Sequence, residues 1–165
     1  STLSSSSAAS DVYKRQAESV LFLGRHVGFP VALEGALKLK EIAYLHAEGF
    51  AAGELKHGPI ALIEEGQPVF VIVPSPRGRD SLHSKVVSNI QEIRARGAIT
   101  IVIAEEGDTA VEDYANHVIR IPKAPTLMQP LLATVPLQIF AAHVAKSKGY
   151  DVDQPRNLAK SVTVE

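Results

Sequence analysis

The sequence predicts an α/β fold, a three-layer sandwich in which helices cover both faces of a mainly parallel sheet of four to five strands. Short apolar runs rich in Val and Ile alternate with longer amphipathic segments, as in parallel strands joined by crossover helices. Right-handed crossovers are nearly obligatory, which favours a flavodoxin-like strand order. The chain of 165 residues, 45% of them hydrophobic, is long enough for one sizeable core.

Four apolar runs are the expected strands. They cover residues 19–23, 69–73, 99–104 and 117–121. A shorter run over residues 45–50 is a candidate edge strand that would follow the first helix. Their length and their Val and Ile content are typical of strands in a parallel sheet.

The longer segments predict three helices, over residues 30–44, 80–96 and 127–148. Pro30 suits the first turn of the first helix, and Gly97 and Gly149 end the other two. Pro130 and Pro136 lie inside the last segment, so a kink or a broken start is expected there.

The two ends of the chain differ from the domain between them, which is expected to span residues 17–149. Residues 1–16 open with a serine-rich stretch without periodicity, which indicates a disordered or non-native leader. Residues 150–165 contain a proline and alternating polar residues. They are expected to form a C-terminal tail, either disordered or docked.

Charge and composition favour small molecules or other subunits as partners. The 17 basic and 18 acidic residues are interspersed and give a formal net charge of -1, so neither nucleic acid nor an anionic membrane surface is an expected partner. The absence of cysteine removes a disulfide framework and a cysteine nucleophile. No apolar run is seen to approach the roughly 20 residues that span a bilayer, and no signal peptide is visible, so a cytoplasmic location is expected.

The first helix carries three charged residues on one stripe. Glu34, Lys38 and Glu41 follow at i, i+4 and i+7, which at about 100° per residue places them on one side of the helix. An ordinary surface stripe with a Glu to Lys pair is one interpretation. The other is a proton-transfer cluster, in which partial burial and neighbouring charge tune a carboxylate to act as a base.

Two further residues are candidates for chemistry. His57 lies in GELKHGP, a glycine-bounded segment expected to form a loop, and it is either a surface residue or a general acid and base. Lys160 lies in the tail. It is either a solvated charge or, if the tail folds over a pocket, an amine that forms a Schiff base with a carbonyl. The other five histidines have no spacing that suggests a metal site, and neither a metal nor a cofactor is expected.

Two loops are candidates for ligand sites. PSPRGRDS, between a strand and a helix, lacks the hydroxyls and glycines that wrap a phosphate, although Arg77 and Arg79 make a weak anion site an alternative to a solvated turn. GRHVGFP follows the first strand without the glycine pattern of a dinucleotide site.

Three segments together resemble one family. ALEGALKLKE, HAEGFAAGELKHGP and the terminal DVDQPRNLAKSVTVE resemble the second sugar isomerase (SIS) domain and the C-terminal tail of the glucosamine-6-phosphate synthases, which are isomerizing glutamine–fructose-6-phosphate aminotransferases. The similarity runs from about residue 20 to residue 165. The first two motifs also occur, more loosely, in related sugar isomerase proteins, whereas the tail is specific to the synthases.

The resemblance implies an enzyme that converts fructose 6-phosphate and glutamine to glucosamine 6-phosphate and glutamate. It implies that His57 helps to open the sugar ring in the active site of the neighbouring subunit of a homodimer. Lys160 would form the Schiff base with the open-chain ketone, and Glu41 would move a proton between C1 and C2. Lys38 would assist the chemistry of the sugar oxygen. Two residues would lie against the substrate, Glu34 and Ala159.

Two features of that family are missing from the sequence. The glutaminase domain of the family begins with a nucleophilic cysteine, and its hydroxyl-rich phosphate loop belongs to the first SIS domain. The expectation is therefore a C-terminal piece of a longer chain, partnered by those two domains and inactive as a synthase alone. The alternatives are a stand-alone sugar-phosphate-binding SIS domain with a regulatory role, and a related deglycase or sugar-amine deaminase.

Overall fold

A parallel sheet lies at the centre of the computed structural model, which describes residues 19–77, 82–156 and 158. Within those residues the strands are β1 (Ser19–Gly24), β2 (His46–Ala51), β3 (Pro68–Ile72), β4 (Ile99–Glu105) and β5 (His117–Ile121). Their order is β2-β1-β3-β4-β5, and every neighbouring pair is parallel. This order is the flavodoxin order, so the predicted fold class is confirmed, and the candidate edge strand is β2.

Helices cover both faces of the sheet. One face carries α1 (Gly28–Lys38) and α3 (Gln129–Ser147), and the other carries α2 (Leu82–Arg94). Shorter segments complete the described part of the chain: a π-helical segment (Leu39–Ala43) and 3-10 turns at Ala52–His57, Pro59–Leu62 and Thr126–Met128.

Two hydrophobic cores fill the space between the three layers. The core under α1 and α3 contains Phe22 and Phe70, whose rings stack with centroids 5.0 Å apart, and Phe140, whose ring lies 4.7 Å from that of Phe70. The core under α2 contains alternate residues of the same strands, such as Leu23 and Val71. This alternation is the two-residue period of a strand buried on both faces.

The connection between β1 and α1 sets the direction of the first helix. A Cβ at Gly24 would lie 2.0 Å from the carbonyl oxygen of Gly28, so only glycine fits this close approach. Both α1 and α3 begin near the carboxyl ends of the strands and run back across the sheet. The C-terminal ends of both helices therefore lie at the edge formed by the amino ends of the strands, which we call the amino edge.

The first predicted helix is divided in two. α1 ends at Lys38, and the π-helical segment Leu39–Ala43 continues to Tyr44, which has a left-handed backbone with φ 53°. The segment 53–59, expected to be a loop, lies mostly in the 3-10 turn Ala52–His57. The broken start expected for the last helix is confirmed, because the 3-10 turn Thr126–Met128 precedes α3, which then continues through Pro136.

One described segment, Thr126–Ser147, is long and apolar enough to cross a membrane by length and composition. The sequence-based expectation that no run approaches this length is therefore wrong for this segment. A helix of a protein core passes the same test, and Leu137, Phe140 and Val144 of α3 are at most 1% exposed in the core against the sheet. The packing of α3 on the sheet accounts for the apolar residues on its inner side.

Candidate active site

A cluster of three charged side chains lies at the C-terminal end of α1. The Nζ atom of Lys38 lies 2.7 Å from Oε2 of Glu41 and 3.3 Å from Oε1 of Glu34. The stripe predicted from the spacing is therefore present, with both carboxylates on one ammonium. The side chains are 25% to 36% exposed, so the cluster faces solvent only in part.

The π-helical segment holds this cluster in place. Leu39 and Ala43 are 1% and 0% exposed and anchor the segment in the core under α1 and α3. Glu41, between these two anchors, is left at the surface beside Lys38. Single turns of π-helix inside α-helices are frequent at functional sites.

The electrostatics of the cluster keep Lys38 charged. The hydrogen bond to Glu41 is the largest influence and raises the pKa of Lys38 above its ordinary value; partial burial opposes this shift and Glu34 adds to it. At neutral pH Lys38 is therefore a cation and a hydrogen-bond donor. Among the three side chains, the carboxylates remain as the possible proton acceptors.

His57 lies apart from this cluster. Its Nδ1 atom is 2.8 Å from Oε2 of Glu54, and the two side chains are 71% and 67% exposed. His57 follows the carboxyl end of β2, whereas Glu41 precedes its amino end. The six residues of β2 separate the two positions by on the order of 17 Å. The two residues therefore do not meet within one chain.

The first part of the tail is docked at the amino edge. The ring of Tyr150 contacts that of Tyr44 at 4.9 Å in an edge-on arrangement. The backbone N–H of Arg156 donates to the hydroxyl of Tyr44 at 2.7 Å, and the Arg156 guanidinium lies 4.1 Å from the centre of the same ring. Tyr44 comes three residues after Glu41, so the tail docks at the end of the segment that carries Glu41.

Several predicted residues lie outside the part of the chain that the structure describes. These are the leader, residues 1–16, together with Lys160 and Ala159 in the tail. The predictions for them remain predictions. Leu158, which is described, is 51% exposed.

Sequence reasoning missed the aromatic contacts of the tail. Tyr44 and Tyr150 are 106 residues apart in number, and an aromatic residue at the end of an apolar helix is most simply read as a core residue. Glu54, the partner of His57, was also missed, although its spacing of three residues within the GELKHGP motif was a signal.

The carboxyl edge of the sheet contains a second ion pair. Glu105 is 2% exposed, and its Oε1 atom accepts a hydrogen bond from Nε of Arg77 at 3.0 Å and lies 2.8 Å from Nη2 of the same guanidinium. Burial by itself raises the pKa of Glu105, but hydrogen bonds from Arg77 and Ser75 outweigh it and lower the pKa below its ordinary value. Arg77, one of the two arginines considered for an anion site, is thus engaged by a carboxylate of the same chain.

Within residues 19–77, 82–156 and 158, no three or more His, Asp or Glu side chains form a group that could hold a metal ion.

The fold and its charged cluster define the class of protein. The chain belongs to the SIS domain family, whose model matches residues 15–147. The isomerizing glutamine–fructose-6-phosphate aminotransferase of Corynebacterium diphtheriae is 90% identical over 151 residues, which are 92% of this chain and 24% of that protein. The chain thus spans about a quarter of the length of this curated relative.

Two solved structures show the same fold. The C-terminal domain of glucosamine-fructose-6-phosphate aminotransferase from Francisella tularensis has a TM-score of 0.78 at 40% identity, covering 93% of this chain and 43% of that one. Glucosamine-6-phosphate deaminase from Thermotoga maritima has a TM-score of 0.67 at 26% identity, covering 99% of this chain and 47% of that one.

Proposed function

We propose that the chain is the C-terminal isomerase part of an isomerizing glutamine–fructose-6-phosphate aminotransferase, with an SIS domain over residues 17–149 and an active-site tail over residues 150–165. The observation that carries the proposal is the cluster of Glu34, Lys38 and Glu41 beside a docked tail. The 90% identity to a protein of that name supports it.

The proposed reaction begins at the ketone of open-chain fructose 6-phosphate. The amine of Lys160 adds to C2 and water leaves, which gives an imine. Ammonia released from glutamine then displaces the lysine from C2. Glu41 removes a proton from C1 while the imine nitrogen gains a proton, which gives an enolamine. C2 then takes up a proton and the C1 hydroxyl loses its own, so that C1 becomes the aldehyde and C2 carries the amine of glucosamine 6-phosphate.

Lys38 serves this reaction as a fixed cation. Its ammonium holds the Glu41 carboxylate at 2.7 Å, and a raised pKa keeps it charged at neutral pH. In that state it stabilises negative charge that develops on a sugar oxygen. Glu34 holds the same ammonium from the preceding turn, and we assign Glu34 and Ala159 to contacts with the substrate.

His57 is assigned to the active site of a neighbouring subunit in a homodimer. The length of β2 separates it from Glu41 of its own chain, and its side chain is 71% exposed. Glu54 orients the ring by its contact at Nδ1, which leaves Nε2 to exchange a proton with the ring oxygen of the sugar.

The remaining parts of the machinery lie outside this chain in the proposal. A glutaminase domain supplies ammonia, and a first SIS domain holds the phosphate of the substrate. The share of 24% of the relative's length leaves room for both, and the engagement of Arg77 by Glu105 disfavours a phosphate site at the carboxyl edge of this domain. We further propose a cytoplasmic enzyme without a cofactor, and we expect the chain alone to be inactive as a synthase.

The proposal is tested by trapping the imine in the full-length protein. Borohydride reduction with fructose 6-phosphate should attach the sugar to Lys160, and Lys160→Arg should abolish this, because a guanidinium stays charged and does not form an imine. Lys146→Arg, on the exposed side of α3, is the matched control and should trap normally. Glu41→Gln should still trap sugar but lose isomerisation by about 10² to 10⁴-fold.

Peptide mass spectrometry decides the outcome. Sugar attached to another lysine, or full synthase activity of the Lys160→Arg variant, contradicts the assignment. Isomerisation at the wild-type rate in the Glu41→Gln variant contradicts the role of the base.

A second candidate function rests on the likeness to the Thermotoga maritima deaminase at 26% identity. In this alternative the chain is a sugar-phosphate-binding or deaminating SIS domain, which has no use for Lys160. Calorimetry of the chain alone with fructose 6-phosphate separates the two. Binding that is unchanged by Lys160→Arg favours the second candidate, whereas the proposed function predicts that the isolated chain does not bind the sugar tightly.

A further inference from the structure

Tyr44 has an unusual backbone conformation for a bulky residue. Its φ of 53° and ψ of 39° lie in the left-handed region, and it ends the π-helical segment with an N–H that donates to the carbonyl of Leu39. Such a conformation is unfavourable for a large side chain and is far easier for glycine or asparagine. Contacts of the Tyr44 side chain must therefore offset the cost of this backbone conformation.

The side chain of Tyr44 makes three such contacts. The ring lies between the ring of Tyr150, at 4.9 Å, and the guanidinium of Arg156, at 4.1 Å. The hydroxyl accepts a hydrogen bond from the backbone N–H of Arg156 at 2.7 Å. All three contacts are made to the segment that follows α3.

The topology explains why these residues meet. α1 with its π-helical continuation and α3 end at the same amino edge. α3 is closed by Gly149, with φ 75°, and the N–H of Tyr150 donates to the carbonyl of Ala145. This turn sends the tail across the end of the π-helical segment instead of away from the domain.

We propose that Tyr44 is a positioning residue, which fixes the tail at Arg156 so that the next few residues deliver Lys160 beside Glu41. The inference rests on the proposed function for the role of Lys160. Three residues stand between Arg156 and Lys160, and a fully extended chain of that length reaches at most about 14 Å. Glu41 lies three residues before Tyr44, in the π-helical segment that Tyr44 ends.

The contacts of Tyr44 are those of an anchor for the tail and not those of a core residue. Tyr44 is only half-buried, and its hydroxyl binds a backbone N–H, which depends little on the side chain at position 156. An anchor of this kind fixes the path of the backbone, which determines where a side chain four residues later can reach.

The test uses the full-length protein and two variants of Tyr44. Tyr44→Phe removes only the hydroxyl, and we expect imine trapping on Lys160 to slow about five-fold, the factor that one net hydrogen bond represents. Tyr44→Asn removes the ring but accepts the left-handed backbone, and we expect roughly 30-fold or more. The KM for fructose 6-phosphate should stay near the wild-type value while kcat falls, because the proposed phosphate site lies in another domain.

Two controls separate positioning from folding. Arg156→Ala removes the stacked guanidinium from the tail side, where it cannot disturb the domain, and should slow trapping by several-fold. Tyr114→Phe changes a half-buried tyrosine beside the core under α2 and should leave trapping unchanged. Limited trypsin digestion gives a readout independent of chemistry, since release of the tail should speed cleavage after Lys160 in the Tyr44 variants.

The outcomes distinguish the role of Tyr44 as an anchor from the proposed function of Lys160. Faster cleavage after Lys160 together with slower trapping on Lys160 supports the anchor. Faster cleavage with unchanged trapping, or no change in either, overturns it. If the wild-type protein is not trapped on Lys160 at all, the proposed function fails, and unchanged cleavage in both variants then also rejects Tyr44 as an anchor.

Discussion

At the scale of single residues, the carboxylate of Glu105 affects which ligands could bind at the carboxyl edge of the sheet. Ligands of open α/β sheets commonly bind outside the carboxyl ends of the strands. Here Glu105 is the last residue of β4 and its carboxylate is buried, and Arg77 donates a hydrogen bond to it and forms an ion pair with it. The arginine that would attract a phosphate is thereby neutralised within the chain.

The pair makes a prediction about stability and pH. The pKa of Glu105 lies below its ordinary value of 4.5, so its ionised form stabilises the fold above pH 4.5, and this contribution is lost as the pH falls through the lowered pKa. The Arg77→Ala substitution removes the hydrogen bond and the positive charge that lower the pKa of Glu105, whereas the burial that raises this pKa remains. The ionised Glu105 carboxylate then destabilises the folded state. We expect the free energy of unfolding of the Arg77→Ala variant to be lower than that of the wild type at pH 7. This difference in the free energy of unfolding should become smaller below pH 4.5.

Urea unfolding at pH 7 and pH 4 measures this difference. Arg96→Ala is the matched control, because the Arg96 side chain is exposed and its guanidinium donates to the backbone carbonyl of Glu92, not to a carboxylate. A stability difference for Arg77→Ala that is the same at both pH values would contradict the assigned role of Glu105.

Residue patterns could reveal part of the candidate site and not the rest. The stripe of Glu34, Lys38 and Glu41 follows from helical spacing alone, because all three belong to one continuous segment. The docking of Arg156 on Tyr44 depends on where α3 ends relative to α1. That relation is a property of the folded topology, and local spacing does not contain it.

At the scale of elements, the first helix shows the limit of periodicity. Its apolar positions predict one helix over residues 30–44, and the chain instead changes from α-helix to π-helix after Lys38. The change keeps both Leu39 and Ala43 in the core. Helix propensity does not distinguish an α-helix from a π-helix. The change after Lys38 could therefore not be predicted from the sequence.

The packing of α1 on the sheet gives a second prediction, at Gly35. A Cβ there would lie 2.9 Å and 3.0 Å from two ring atoms of Phe22 and 2.7 Å from Cδ1 of Leu137. Alanine gains about 1 kcal/mol over glycine in helix propensity, but overpacking of a core costs about 1 to 3 kcal/mol. Phe22 is stacked on Phe70 and has little room to move, so the steric cost should exceed the gain.

We therefore expect Gly35→Ala to lower the free energy of unfolding by about 1 kcal/mol. Ser88→Ala, on the exposed side of α2, is the control and should change it by less than about 0.5 kcal/mol. Urea unfolding of the two variants measures both. A Gly35→Ala protein more stable than the wild type would show that propensity outweighs packing at this interface.

At the scale of the whole molecule, the strand order was predictable and the outer surface was not. The order follows from right-handed crossovers between parallel strands, a rule with few exceptions. The first helix is rich in apolar residues, a pattern typical of a helix buried on most sides, yet Leu33 and Leu37 are 46% and 41% exposed. An apolar residue in a sequence does not show whether its own chain or another one covers it.

These leucines are part of a larger outer apolar face. We use this name for the exposed large apolar residues on the solvent side of α1 and α3, which are Leu33, Leu37, Leu131 and Val135. The buried residues of both helices face the sheet, so these four face away from it. Exposed apolar surface of this kind marks an interaction site, and we expect another SIS domain to cover it.

The last prediction follows from this face. The isolated chain should associate as its concentration rises, because two copies can each supply the apolar cover that the other lacks. Replacing Leu131 and Val135 together by Glu places charges on that face and should shift the chain to monomer in sedimentation velocity. Leu62→Glu is the matched control, since Leu62 is 52% exposed in the 3-10 turn Pro59–Leu62, away from α1 and α3. A wild-type chain that sediments as a monomer at high concentration, or a Leu62→Glu variant that dissociates as completely as the double variant, would contradict the assignment of this face.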